Sequence, residues 1–199
     1  MKPETCHYHL GTCREDEFAH KVCFQPHIVY LANSSALKIG ITRIVNMPTR
    51  WLDQGATQAL PILKVGSRRL SGHLETLIGT QIADKTDWRK LLKGEAEPLN
   101  LIEQRDQILE EFAPKIQMIR DEFSQNLEFN EELEFLEHEL PKEFIYPVEQ
   151  YPEKIKSLNL DKTPKIRGVL HGIKGQYLLL DIGVINIRKY TGYELILRT

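Results

Sequence analysis

The stretch QPHIVYLANSSALKIGI, residues 25–41, decides how the fold is read. Over residues 25–32 it turns apolar and β-rich, with Ile28, Val29, Tyr30 and Leu31 in succession, the pattern of a buried strand. Asn33, Ser34 and Ser35 follow, and their side chains compete for the backbone and make a turn. Leu37-Lys38-Ile39-Gly40-Ile41 then alternates and reads as a second strand. The two form a hairpin, so Tyr30 and Lys38 stand close together across it.

Working outward, Pro48 opens a short helix over residues 49–54, which Gly55 ends. Residues 59–65 are a third strand. Residues 71–83 are helical by period: Leu70, Leu74, Leu77 or Ile78, and Ile82 fall on one face, with Glu75 beside that stripe. From Pro98 the chain changes character. Leu101, Ile102, Arg105, Ile108, Leu109 and Phe112 mark an amphipathic helix, and Pro114 is expected to start a second through Ile116, Ile119 and Phe123. The acidic run to Glu139 reads as a third helical piece or a connector, and Pro141, Pro147 and Pro152 punctuate an extended linker. Residues 165–173, 176–181, 184–188 and 193–198 are short strands separated by glycines, which predicts an antiparallel meander. Within it Asn186, Arg188 and Lys189 are presented to solvent while the isoleucines pack. The fold class expected is α/β in the α+β sense. Its parts are a Cys/His-rich arm (1–26), an α/β domain (27–94), an acidic helical segment (95–150) and a small β domain (151–199).

Composition bounds the function. The chain has 199 residues, 41% of them hydrophobic and 27% charged, ordinary globular values that exclude a disordered chain. No apolar run approaches the roughly 18 residues a bilayer demands, and the opening MKPETCHYHLGTC has no signal-peptide core, so a soluble, cytoplasmic protein without membrane contact is expected. The net charge of −2 hides segregation. Residues 1–94 carry 13 basic and 8 acidic side chains, residues 95–153 carry 4 and 17, and residues 154–199 carry 9 and 3. The acidic block is a solvated helical face or a surface for a protein partner; only the basic ends suit a polyanion.

All three cysteines, Cys6, Cys13 and Cys23, lie beside His7, His9, His20 and His27. An odd count without an export signal argues against a disulfide framework. Thiolate and imidazole are the ligands zinc prefers, so Cys6, Cys13, Cys23 and His27 are the candidate structural Zn²⁺ ligands. Small buried thiols and surface histidines are the plainer alternative.

The hairpin carries a resemblance. Ile28-Val29-Tyr30, a short loop, then Lys38-Ile39-Gly40-Ile41-Thr42 resembles the opening of a GIY-YIG nuclease domain, and Arg50 and Glu75 occupy the order of that family's arginine and metal-binding glutamate. This likeness covers about residues 27–90. Two departures stand out: His27 precedes Ile28 where glycine is usual, and Lys38 replaces the second motif's tyrosine. VYLANSSALKIGITR, PTRWLDQGA, DKTDWRKLLKG and GIKGQYLLLD resemble, over the whole chain, an uncharacterised bacterial family known only as a domain of unknown function. That family likeness also implies further CxxC pairs upstream of KPETCH, so the zinc arm is expected to be truncated and poorly ordered.

The nuclease resemblance implies a catalytic set. Glu75 would hold Mg²⁺ or Mn²⁺ as Lewis acid on the phosphate, and Arg50 would stabilise charge on the phosphoryl oxygens. Tyr30 would orient or deprotonate water, which requires a depressed pKa. Lys38 would clamp phosphate, or act as base if burial lowers its pKa by several units. Around these, Arg43, Trp51, Arg68, Arg69, Lys85 and Arg89 mix cations with aromatics, as a DNA- or RNA-binding surface does. The function expected is nucleic-acid processing or binding with metal-dependent phosphodiester cleavage. The alternative is a non-catalytic interaction or regulatory module on the same fold.

Overall fold

The structure is a computed structural model that describes residues 2–82, 87–124 and 132–198. Its first sheet is built on the predicted hairpin. Strand β1 (His27–Asn33) pairs antiparallel with β2 (Leu37–Arg43), placing Tyr30 opposite Gly40 and Ala32 opposite Lys38. Directly paired residues point to the same side, so Tyr30, Gly40 and Lys38 share a face. After β2, helix α2 (Thr49–Asp53) stops at Gly55, which takes φ 68° as a left-handed cap. A three-residue helical turn, α1 (Asp16–Phe18), precedes all of these in the arm. Strand β3 (Gln58–Val65) then returns on the other side of β1, with a bulge between Val29 and Tyr30. Strands β4 (Leu133–Phe135) and β5 (Lys142–Glu143) both pair with β3 and complete the sheet.

The two sheet faces are covered by different helices. Val29, Leu31, Ile39 and Leu60 meet α3 (Arg68–Ile78) through Leu70, Leu74 and Ile78. They also meet the long helix α5 (Leu101–Ser124) through Ile108, Phe112 and Ile116. Each fully buried Leu or Ile there contributes roughly 1.5–3 kcal/mol. The opposite face, Ile28, Tyr30, Ala32 and Ala59, packs on Trp51 of α2 and on Ala56.

Several expectations change in this fold. Helix α3 starts at Arg68, not at 71, because Ser67 Oγ accepts from the Leu70 amide at 3.1 Å and caps it. Pro114 does not open a new helix: α5 runs unbroken through it, since the apolar stripe from Ile108 to Phe123 packs as one surface. The segment read as an acidic spacer is packed into the core through α5, and β4 and β5 turn the expected connector and linker into sheet. The arm also packs: Pro3 and Glu4 lie so close to Gly72 that a Cβ there would sit 2.5 Å from Pro3 Cβ, so only glycine admits the arm against α3.

The second sheet is a meander of three strands, β6 (Leu170–Lys174), β7 (Tyr177–Leu180) and β8 (Gly183–Asn186), and the fourth expected strand, residues 193–198, is not one. Helix α4 (Trp88–Leu91) bridges the two sheets, with Leu91 and Leu92 buried against Leu179 and Val184. Asp87 caps α4 by accepting from the Arg89 and Lys90 amides. Among the described residues, no helix is long and apolar enough to cross a membrane.

Candidate functional site

Tyr30 anchors the polar group on the α2 face. Its ring lies over Gly40, where a Cβ would come within 2.7 Å of the phenol oxygen, so the glycine makes room for the aromatic. The phenol donates to Gln54 Oε1 at 3.0 Å, at the end of α2. Burial pushes the phenol's pKa up; the Arg50 guanidinium beside it opposes that rise, and the Glu75 carboxylate adds to it. Lys38, on the same face and only 7% exposed, has its pKa lowered to about 8, by burial first and by the Arg50 charge second. Arg50 is therefore the hub: its charge reaches both Tyr30 and Lys38. Glu75 comes from α3, whose apolar stripe covers the other sheet face, and its charge reaches Tyr30.

Arg50 acts electrostatically on both Tyr30 and Lys38, and Glu75 on Tyr30 from the helix over the other sheet face, and two expected roles change. The depressed pKa that a Tyr30 base requires is absent, because burial of the phenol, which resists ionisation, outweighs the opposing Arg50 charge. Lys38 instead carries the shift that a base near neutral pH needs.

The expected nucleic-acid residues that the structure describes have different settings, though Arg43 and Arg68 both act on the His27 ring. Trp51 is fully buried between Tyr30 and Phe144, with its indole N–H unpartnered, so it offers no face to a base. Arg69 lies over the Phe123 ring at 4.7 Å and Arg68 beside Cys23, both facing the arm. Arg43 ends β2, paired across from His27. Arg89 stacks on Trp88 at 4.4 Å. Lys85 lies outside the described residues.

The zinc set does not fit this arrangement. Among the described residues no three His, Cys, Asp or Glu side chains converge as a metal-holding group. The three thiols are close enough for Cys6 and Cys13 to add to the rise that burial imposes on Cys23. His27, however, is buried with Nδ1 2.6 Å from the Gln25 carbonyl, because it is the first residue of β1 and packs inward. The described residues thus show no tetrahedron of Cys6, Cys13, Cys23 and His27.

Sequence reasoning missed Gln54, whose place at the end of a helix carries no signal for a phenol partner. It also missed an open groove of about 770 Å³ between α2 and the meander, in which Arg50 faces Arg188. The strand alternation had put Arg188 in solvent; only the packing of the meander beside α2 brings it opposite Arg50.

An α+β protein of two antiparallel sheets, with Tyr30 and Lys38 buried beside a half-buried Arg50 that lines a groove, is the class that fold and site define. The chain belongs to the family described as "Protein of unknown function (DUF2797)", whose model matches residues 1–195. No curated protein matches the chain, and no solved structure does.

Proposed function

We propose that this protein processes or binds nucleic acid through a GIY-YIG-like core, with phosphodiester cleavage at Tyr30, Lys38, Arg50 and Glu75. The observation that carries the reading is the electrostatic coupling of Arg50 to both Tyr30 and Lys38, with Glu75 reaching Tyr30. The order strand, strand, helix, strand, helix around that cluster supports it further. Arg50 binds a phosphate and offsets charge developing on its oxygens. Lys38 clamps the same phosphate as a cation below about pH 8 and takes a proton from water above it. Tyr30 orients water or substrate by hydrogen bonding. Glu75 would hold a divalent ion, which fits Mg²⁺ because that ion commonly takes only one or two carboxylates and fills its shell with water and phosphate oxygens. When bound, the ion supplies Lewis-acid neutralisation of the phosphate.

A cleavage assay on branched, duplex and single-stranded substrates with Mg²⁺ or Mn²⁺ tests the reading. Glu75→Gln should lower cleavage by orders of magnitude while affinity stays level or rises, and Arg50→Ala should weaken binding itself. Parent and variants that cut alike, or not at all, would remove the catalytic claim. A second reading has its own observation: Tyr30 is fully buried and Lys38 nearly so, as in a cluster that holds the fold together. On that reading the module binds its partner without cutting. It is separated from the first by a parent that binds nucleic acid but leaves every substrate intact.

A further inference from the structure

We infer that the groove between α2 and the C-terminal meander is a binding channel for a single strand of nucleic acid, with Arg188 and Tyr177 as the wall opposite Arg50. The inference rests on the nucleic-acid reading above and adds the substrate's form and the part of the chain that grips it.

The two walls are held together by a close backbone approach. The β6–β7 turn carries Gly175 at φ 57°, and a Cβ there would lie 2.9 Å from both the Asp53 carbonyl oxygen and the Gly55 amide nitrogen. Glycine is required twice at this point, by conformation and by proximity, so the hairpin tip abuts the end of α2 and sets the groove's width. Its volume of about 770 Å³ is that of a pocket holding a drug-sized ligand, too confined to admit a duplex.

The lining suits a flexible polyanion with flat, polar-edged groups. Arg50 and Arg188 stand on opposite walls, and Asp53 is the one carboxylate among the groove's lining residues. Tyr177 lines the groove and stacks on Trp88, with rings 6.2 Å apart and 6° from parallel, and Arg89 stands over the Trp88 ring at 4.4 Å. These contacts of Trp88 stiffen an aromatic platform of the kind on which unpaired bases stack. Asn46 and Gln176 add amide groups that match base edges. Because the charge of Arg50 also reaches the Tyr30–Lys38 cluster, a strand along this channel passes a phosphate beside the candidate cleavage residues.

Fluorescence anisotropy of the full chain at about 50 mM salt, with a labelled oligo-dT or oligo-U and a duplex of equal length, tests this. The expected result is tighter binding of the single strand. Arg188→Glu should weaken it about tenfold, and Arg188→Ala several-fold, with a salt slope shallower by about 0.7 for each phosphate that is no longer neutralised. Lys162→Glu, an exposed reversal outside the groove, should change little. Arg188 is exposed and its backbone N–H is held by Asn186 Oδ1 at 3.0 Å, so these variants keep the local turn. If Arg50→Ala weakens binding but Arg188→Glu does not, the channel is overturned while the nucleic-acid reading stands. Tighter binding of duplex also overturns the channel. No binding of either probe overturns both.

Discussion

Lys38 sits in β2 with its ammonium largely removed from water beside a second cation, and both effects disfavour its charged form. Its pKa falls from 10.5 to about 8 on folding, so between those values the unfolded chain holds a proton that the folded chain has released. Stability from this group therefore rises as pH climbs from about 8 towards 10, by an amount on the order of 3 kcal/mol over the full shift. Above about pH 10 the buried Tyr30 and Tyr146, whose phenols are pushed up, pull the other way. Urea melts of parent and Lys38→Met across about pH 7–10 should show the rise in the parent and its loss in the variant. An unchanged slope in the variant would assign the pH dependence elsewhere. The neighbouring glycine makes a sharper steric case. Gly40→Ala places a methyl 2.7 Å from the Tyr30 oxygen, so the ring must leave its seat, at a cost of about 1–3 kcal/mol. The same melt reads that loss, and tyrosine displacement should also perturb binding at Arg50.

At the scale of the element, α5 is one helix over 24 residues despite a proline in its interior. Pro114 lacks the N–H that would bond Glu110 and crowds that carbonyl, yet Phe112 and Ile116 on either side are buried at 1% and 0%. Packing outweighs propensity here. Because Pro114 is exposed, Pro114→Ala should restore the missing bond without disturbing the core and stabilise the protein by about 1–3 kcal/mol, seen as a higher midpoint in thermal unfolding. The same helix buries Arg105, 5% exposed, whose guanidinium donates to the Glu139 carbonyl at 3.1 Å and to Asp106 at 2.8 Å. That side chain ties the acidic segment back onto the helix; its place in the amphipathic stripe reflects a buried hydrogen-bonding role, not an apolar one.

Across the whole molecule, the meander is fastened to the first sheet by a fully buried lysine. Lys174 ends β6, donates to the Gly94 carbonyl at 2.8 Å, and lies 5.1 Å from the Tyr151 ring centre and 5.7 Å from that of Tyr146. Burial lowers its pKa, and Glu95 counters that drop. Tyr146 in turn donates to the Ala56 carbonyl at 2.9 Å, so the latch connects β6 through two tyrosines to the loop after α2. Lys174→Ala leaves the Gly94 carbonyl unpartnered and a void between the rings, costing about 2–4 kcal/mol. Hydrogen exchange should then quicken in β6 and β7 before it quickens in β1, since the latch is gone while the first core is intact. Uniform quickening would mean the two sheets unfold as one.

The hairpin was legible because its signals are local. Alternation, a polar turn and β-branched runs act between neighbours in the chain, whereas the register that sets Tyr30 opposite Gly40 and Ala32 opposite Lys38 came only with the structure. Helix α3 and its stripe were legible for the same reason, as was the α+β class. The strands at 133–135 and 142–143 were not, because each is a short run that gains its hydrogen bonds only by docking on β3. The burial of Trp51 was equally hidden, since a tryptophan among arginines reads the same whether its ring faces solvent or core. The sequence by itself determined which side chains the chain could bring to a site: the lysine, tyrosine, arginine and glutamate of one short α/β unit. The tertiary structure alone decided their chemistry, because pKa and access depend on what surrounds a group in space. Burial, helped by the Arg50 charge, lowered Lys38 to about 8, and burial held Tyr30 protonated against that same charge. The approach of Gly175 to the end of α2 set Arg188 across from Arg50, a juxtaposition spanning more than a hundred residues that no local pattern encodes.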